Sequence, residues 1–229
     1  MKAAVITFPG SNCDDDLVFA LSKVGVPIET VKLWHKDETD LSSFSLVALP
    51  GGFSYGDYLR CGAIAALSPI MQQVKAFAKK GGYVIGTCNG FQMLCELGLL
   101  PGALAKNESL SFVCKDVSMK VISSDSPWTR ELKEGESISL PIAHGDGRYI
   151  IAEDEYQAML KEGQILLQYE AQDGKESPNG SVHAIAGVCN REKNVFGLMP
   201  HPERATDLRS RDGLKIWKSV VTSLARKTA

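Results

Sequence analysis

The chain carries almost no net charge: 25 lysines and arginines stand against 27 aspartates and glutamates, giving -2 at neutral pH. With the two signs interspersed, there is no basic face to draw nucleic acid or an anionic membrane. Long apolar runs are also missing. The opening MKAAVITFPG holds an apolar run of about six residues before Pro9 and Gly10, shorter than a secretory h-region. Nothing approaches the ~18 apolar residues that a membrane span needs. These absences point to the cytoplasm, where the six cysteines stand as thiols rather than disulfides. No C-x-x-C pair occurs and the four histidines lack H-E-x-x-H spacing, so no metal site is expected. There is no G-x-x-x-x-G-K-[ST] phosphate loop, and Gly145-Asp146-Gly147 is too short for a dinucleotide fingerprint. No repeat, low-complexity linker or composition shift divides the chain, so residues 1–229 read as one domain.

What is present is a core-sized hydrophobic fraction, 44%, and a regular alternation of patterns. Lys2–Phe8 reads as a buried strand, and Leu17, Ala20, Leu21 and Val24 then follow helical spacing until Gly25 and Pro27. Asp14, Asp15 and Asp16 fit the first turn of that helix better than a metal site, because carboxylates complement its dipole. Ile28–Leu33 and Leu46–Leu49 read as further strands. Ser68 and Pro69 form an N-cap and first-position pair for a helix to about Lys80. Tyr83–Thr87 is a strand, followed by a helix from Asn89 to Leu97 that Gly98 closes. Strand–helix alternation of this kind favours a parallel sheet covered on both faces. Beyond Pro101 the pattern changes to strands at Phe112–Ile122, Ser137–Ala143, Ile165–Tyr169, Val182–Val188 and Val195–Met199, with a helix over Glu153–Lys161. A last helix puts Leu214, Trp217, Val221 and Leu224 on one face. The expected fold is α/β, a mostly parallel central sheet with a small antiparallel section.

The sharpest local feature is Gly86-Thr87-Cys88-Asn89-Gly90 between a strand and a helix, a nucleophile elbow with Cys in place of Ser. Small residues flank such a turn because a Cβ would collide with neighbouring backbone. The sulfur emerges at the carboxyl end of the sheet and at a helix N-terminus, where free N–H groups favour a thiolate. The Asn89 N–H then points at any oxyanion formed by attack at Cys88. A cysteine is often just a small buried hydrophobe, the role expected of Cys95, and Cys13, Cys61, Cys114 and Cys189 are read as structural too.

A thiol nucleophile needs a base. His35 and His183 lie in ordinary strand or loop contexts and read as packing or surface residues. His201 instead follows a strand, within Met199-Pro200-His201-Pro202-Glu203, where two prolines hold the backbone extended. Residues two apart in an extended segment project to one side, so Glu203 reaches the imidazole and orients it. Pro50-Gly51-Gly52-Phe53 after the third strand offers backbone N–H groups of Gly52 or Phe53 for an oxyanion, although a plain turn would look the same. Gln92, one helical turn beyond Cys88, is placed to hold a bound amide or carboxylate, or is an ordinary helical residue.

These residues, in this order, resemble the class I glutamine amidotransferases. The longer strings PGGFSYGDYLRCGAIA, GTCNGFQML, PIAHGDGRY, PNGS and MPHPERA are most similar to the glutaminase subunits of phosphoribosylformylglycinamidine synthases. One departure is Asp146, where that family more often has Glu. The resemblance implies a flavodoxin-like three-layer sandwich and glutamine hydrolysis through a Cys88 thioester, with His201 as proton carrier and Glu203 orienting it. It also implies an oxyanion held by Gly52 (or Phe53) and Asn89, and Gln92 on the substrate. No cofactor is implied on this chain, whereas ATP and Mg would sit on a large synthetase subunit that receives the ammonia, with a small bridging subunit between them. The Gly145-Asp146-Gly147 segment would lie near the glutamine site or the partner interface, and Arg148, Arg60 and Tyr58 are candidate partner contacts. If docking completes the oxyanion hole, the isolated chain should be poorly active. The rival expectations are a glutaminase of another amidotransferase complex and a cysteine-elbow stress protein.

Overall fold

The computed structural model describes residues 1–207 and 210–228. Eleven strands are numbered in chain order: β1 Lys2–Thr7, β2 Glu29–Trp34, β3 Leu46–Leu49, β4 Tyr83–Thr87, β5 Ala103–Ala105, β6 Val113–Val121, β7 Ser137–His144, β8 Arg148–Ile150, β9 Ile165–Tyr169, β10 Ile185–Cys189 and β11 Val195–Leu198. The helices are α1 Asp14–Ser22, α2 Ala63–Ala66, α3 Pro69–Lys79, α4 Asn89–Glu96, α5 Glu153–Lys161 and α6 Asp212–Thr228. Nine strands form one sheet in the order β2-β1-β3-β4-β11-β10-β9-β6-β7, and β5 pairs with β8 in a separate ribbon. Pairing is parallel from β2 through β11 and antiparallel from β11 outwards to β7. The expected α/β sheet is there, and its antiparallel wing is four strands wide.

The parallel half exists because its strands are apolar on both faces. Ala3 and Val5, Leu46 and Ala48, Ile85, and Phe196 and Leu198 point into one core with α1 and α6. Their alternates Ala4 and Ile6, Val47 and Leu49, Val84, and Val195 point into the other, against α3 and α4. The strand period of two thus builds three layers directly. Trp128 and Trp217 lie fully buried in the first core, and the expected face of α6 packs there too.

Several local expectations change. The run 182–188 begins as strand only at Ile185, because His183 and Ala184 have φ of 49° and 53°, outside strand geometry. Ser68 sits at the N-cap of α3, but its hydroxyl donates back to the Ala65 carbonyl (2.7 Å) rather than capping the helix. The acidic start of α1 is charge-paired: Asp14 and Asp15 meet Lys32, and Asp16 meets Arg204 at 3.0 Å. Among the described residues, no helix is long and apolar enough to cross a membrane.

The tightest packing lies under the β4–α4 turn. A Cβ at Gly90 would stand 2.2 Å from the Leu49 carbonyl oxygen, and one at Gly86 would stand 2.5 Å from the Gly90 carbonyl. Gly98 ends α4 with φ +69° but faces open space. Gly90→Ala should therefore destabilise by about 2 kcal/mol or more through forced backbone shifts, against about 1 kcal/mol for the left-handed strain of Gly98→Ala. Urea unfolding of the two variants should rank them in that order.

Candidate active site

Because β3, β4 and β11 are adjacent and parallel, their carboxyl ends open on one edge of the sheet. Registers Leu49↔Gly86 and Leu198↔Thr87 set the following loops side by side, with Cys88 between the glycine loop and His201. Cys88 adopts φ 50°, ψ -107°, an uncommon conformation for a side-chain-bearing residue. The turn is held from both sides: the Cys88 N–H donates to the Leu198 carbonyl (2.8 Å), and the Gln92 N–H donates to the Cys88 carbonyl (3.1 Å). The thiol belongs to the apolar cluster beneath α4, yet it also lines a cavity.

His201 and Glu203 are both 2% exposed. The His201 Nδ1 and Glu203 Oε1 lie 2.7 Å apart, and the Thr87 hydroxyl donates to the same oxygen at 3.4 Å. Burial alone would lower the His201 pKa. The Glu203 carboxylate and the Cys88 sulfur outweigh it and hold the imidazole well above its usual value, so the charged ring is favoured. With Nδ1 committed to Glu203, Nε2 is the nitrogen left for proton transfer. It is buried and makes no well-formed hydrogen bond, although Cys88 is close enough to act on the ring both by charge and as a hydrogen-bond partner. Gly51 makes room for this ring: a Cβ there would stand 2.6 Å from His201 Cε1.

Reading the sequence alone missed Cys13. This buried thiol lies 3.8 Å from His201 Nδ1 and accepts from Arg204 at 3.0 Å, while Arg204 also holds Asp16. Burial is the main cause that pushes the Cys13 thiol up, against His201 and Arg204, which pull it down. Cys13, His201 and Glu203 bring three possible metal-ligand atoms within 4.8 Å of one another. Two of the three are already joined by the His201–Glu203 hydrogen bond. Cys13 carried no local signal, since it reaches the histidine only through the β1–α1 loop.

A cavity of about 240 Å³ opens beside Cys88, walled by Gly52, Phe53, Gln92 and Phe112 and by the 143–146 loop. The two candidate oxyanion donors on the glycine loop separate here. Phe53 N–H is already donated to the Gly10 carbonyl (2.9 Å), because this segment pairs with the 10–12 loop, whereas Gly52 lines the cavity with φ 145°. Asn89, first residue of α4, supplies a backbone N–H with no intrahelical acceptor. Its side chain ties the surrounding loops, accepting from Ser54 N–H (3.1 Å) and donating to Gln92 Oε1 (2.8 Å). The Gln92 amide donates to the Asp146 carbonyl at 2.6 Å, so it also fixes the cavity wall. Of the candidate partner contacts, Tyr58 is 74% exposed, Arg60 is paired with Glu96, and Arg148 keeps a buried Nε without a partner.

The family of CobB/CobQ-like glutamine amidotransferase domains matches residues 1–219. The phosphoribosylformylglycinamidine synthase subunit PurQ of a Nostoc species is 51% identical to the chain over 96% of it and 97% of that protein. The chain belongs to the PurQ family of glutamine amidotransferases. The Thermus thermophilus member is 49% identical over 99% of this chain and all of its own. A solved structure of PurLQS from Thermotoga maritima matches with a TM-score of 0.87 at 43% identity, covering 97% of this chain and 98% of that one.

The charge balance at His201 gives a test. Glu203→Gln removes the largest upward influence on the imidazole and leaves burial opposed only by Cys88 and Cys13, so its pKa should fall. A group with a raised folded pKa lends stability that is full below its unfolded value and fades as pH rises through the folded one. The stability lost in Glu203→Gln, about 3 kcal/mol, should therefore be greatest near pH 6 and shrink at alkaline pH. NMR titration of the His201 ring and urea unfolding across pH check both parts.

Proposed function

We infer that the chain hydrolyses glutamine to glutamate and ammonia and supplies the ammonia to a synthetase subunit making phosphoribosylformylglycinamidine in purine biosynthesis. The observation that carries the residue roles is the left-handed Cys88 turn set beside the buried His201–Glu203 pair. The Cys88 thiolate attacks the side-chain amide carbon of glutamine, and the carbonyl oxygen takes the charge. Backbone N–H groups of Gly52 and Asn89 accept that charge by donating to it. His201 gives its proton to the departing nitrogen, the C–N bond breaks, and ammonia leaves with a thioester on Cys88. The neutral imidazole then takes a proton from water, whose oxygen attacks the thioester. Glutamate leaves and the thiolate–imidazolium pair returns. Glu203 holds the ring in the tautomer with Nδ1–H and stabilises it when charged. Gln92 forms part of the wall against which the substrate rests.

Relatives bearing the name of a synthase subunit, and a neighbour described as PurLQS, support a synthetase partner; that large subunit would carry ATP and Mg, with a small subunit bridging the two. Exposed Tyr58 and Leu59 beside the cavity wall suit such a docking face. The cytoplasm is the compartment that fits this work, and residues 1–229 act as one domain. Cys88→Ala in the assembled complex should cut glutamine-dependent synthesis by roughly a thousand-fold or more while synthesis from added ammonia persists. Equal loss from both nitrogen sources would defeat the assignment.

A further inference from the structure

The cavity beside Cys88 has a charge pattern that the hydrolysis itself does not use. Asp57 and Asp146 both line it, and among the described residues no lysine or arginine does. The two carboxylates are near enough to repel: burial first, then the Asp146 charge, pushes the Asp57 carboxyl up, while hydrogen bonds from Cys61 and Asn89 pull it back. Cys61 stays a thiol between them, donating to Asp146 at 3.4 Å. Asp57 is held in place, with φ 55° and a bond from Asn89 Nδ2 at 3.2 Å.

A second, independent observation comes from His144, which is 2% exposed and lines the same cavity. Asn107 Nδ2 donates to the Ser111 and His144 carbonyls, so its Oδ1 is an acceptor, taking Gly147 N–H at 3.0 Å and His144 Nδ1 at 3.1 Å. The proton of the neutral His144 ring therefore sits on Nδ1, and Nε2 presents a bare lone pair. Burial, with the nearby His201, pushes this histidine down to about 4, so it remains neutral. Its Nε2 is buried and has no hydrogen-bond partner among the described residues. The cavity thus offers two carboxylates, with an orphaned acceptor buried in its wall, a set that suits a ligand with N–H donors and a positive charge.

We propose that Asp57 and Asp146 form the subsite for the α-ammonium of glutamine, with the neutral His144 in the wall behind them, and so select α-amino amides over amides lacking that charge. The proposal rests on the glutaminase reading of the same site. Asn89 links the subsite to the chemistry, since its side chain holds Asp57 and its backbone follows Cys88 directly. A site built to accept N–H donors discriminates strongly, because an analogue without them leaves buried acceptors unpaired.

The test uses the complex with its synthetase and two substrates, L-glutamine and glutaramate, which has the same amide without the α-amine. In Asp57→Asn and, separately, Asp146→Asn, the KM for glutamine should rise about 10- to 100-fold. The kcat and the glutaramate KM should move less than about threefold. Asp146→Glu, which keeps the charge, should preserve the preference for glutamine. An equal KM rise for both substrates, or an unchanged glutamine KM in both asparagine variants, would overturn the subsite. A wild-type complex using glutaramate as efficiently as glutamine would overturn this proposal alone. One that leaves glutamine intact would overturn the glutaminase reading with it.

Discussion

The backbone at Cys88 is the constraint on which the site depends. A residue with φ 50° and ψ -107° turns the chain from β4 into α4 within one position, which lifts the sulfur off the sheet edge. The conformation is unfavourable by about 1 kcal/mol or more for a residue with a side chain. It persists because the surroundings leave no alternative. The Leu198 carbonyl holds the Cys88 N–H, the first helical bond of α4 holds its carbonyl, and Gly86 and Gly90 let α4 settle against β3. Gly197 extends the same logic one strand further, since a Cβ there would stand 2.1 Å from the Phe91 ring. The glycines on β4, α4 and β11 therefore serve one purpose, the close seating of the helix that carries Cys88 at its N-terminus.

Electrostatics then decides what that sulfur can do. A fully buried imidazole is normally neutral, yet here a carboxylate at 2.7 Å and a nearby thiol reverse the balance. The arrangement is costly, and Glu203 keeps one oxygen buried without a partner. Arg204 adds positive charge at Cys13 and is itself balanced by Asp16, so the acidic start of α1 belongs to the charge accounting of the site. A stretch that reads in sequence as a solvated helix start thus has one member committed to the chemistry's outer support.

How much could be read from the sequence follows from the range of the forces involved. The parallel strands were legible because each is apolar on both faces, and the nucleophile turn because its glycines are adjacent in the chain. His201 and Glu203 were legible because prolines fix the short path between them. The short ribbon of Ala103–Ala105 with Arg148–Ile150 left no periodic signal at its length. The start of β10 was misplaced because His183 and Ala184 take left-handed conformations that no glycine announces. The Gly145-Asp146-Gly147 segment was legible as lying near such a site, but its grouping with Cys13, Asp57 and His144 was not, since these come from separate stretches of chain that only the closed fold brings together. The Phe53 N–H was ambiguous for the same reason: its partner, Gly10, lies on another strand's exit.

Strain is distributed in a way that separates scaffold from function. Within the parallel strands the backbone is regular, whereas Tyr55, Asp57 and Leu59 have φ between 53° and 71° in the loop that walls the cavity. The departures at Tyr55 and Asp57 are held by specific contacts. Tyr55 N–H donates to the Pro9 carbonyl and its hydroxyl meets His35 Nδ1 at 2.8 Å, while Asn89 holds both Ser54 and Asp57. His35, which reads as a packing residue, is thus a strut for the loop. The next residues, Tyr58 and Leu59, are 74% and 93% exposed, so the loop is tied at its base and exposed at its tip. A segment built this way keeps the cavity wall in register with Cys88 while leaving its apolar tip to meet another surface. The same stretch of chain therefore faces the cavity on one side and solvent on the other, and it is anchored directly by Asn89, the residue after Cys88.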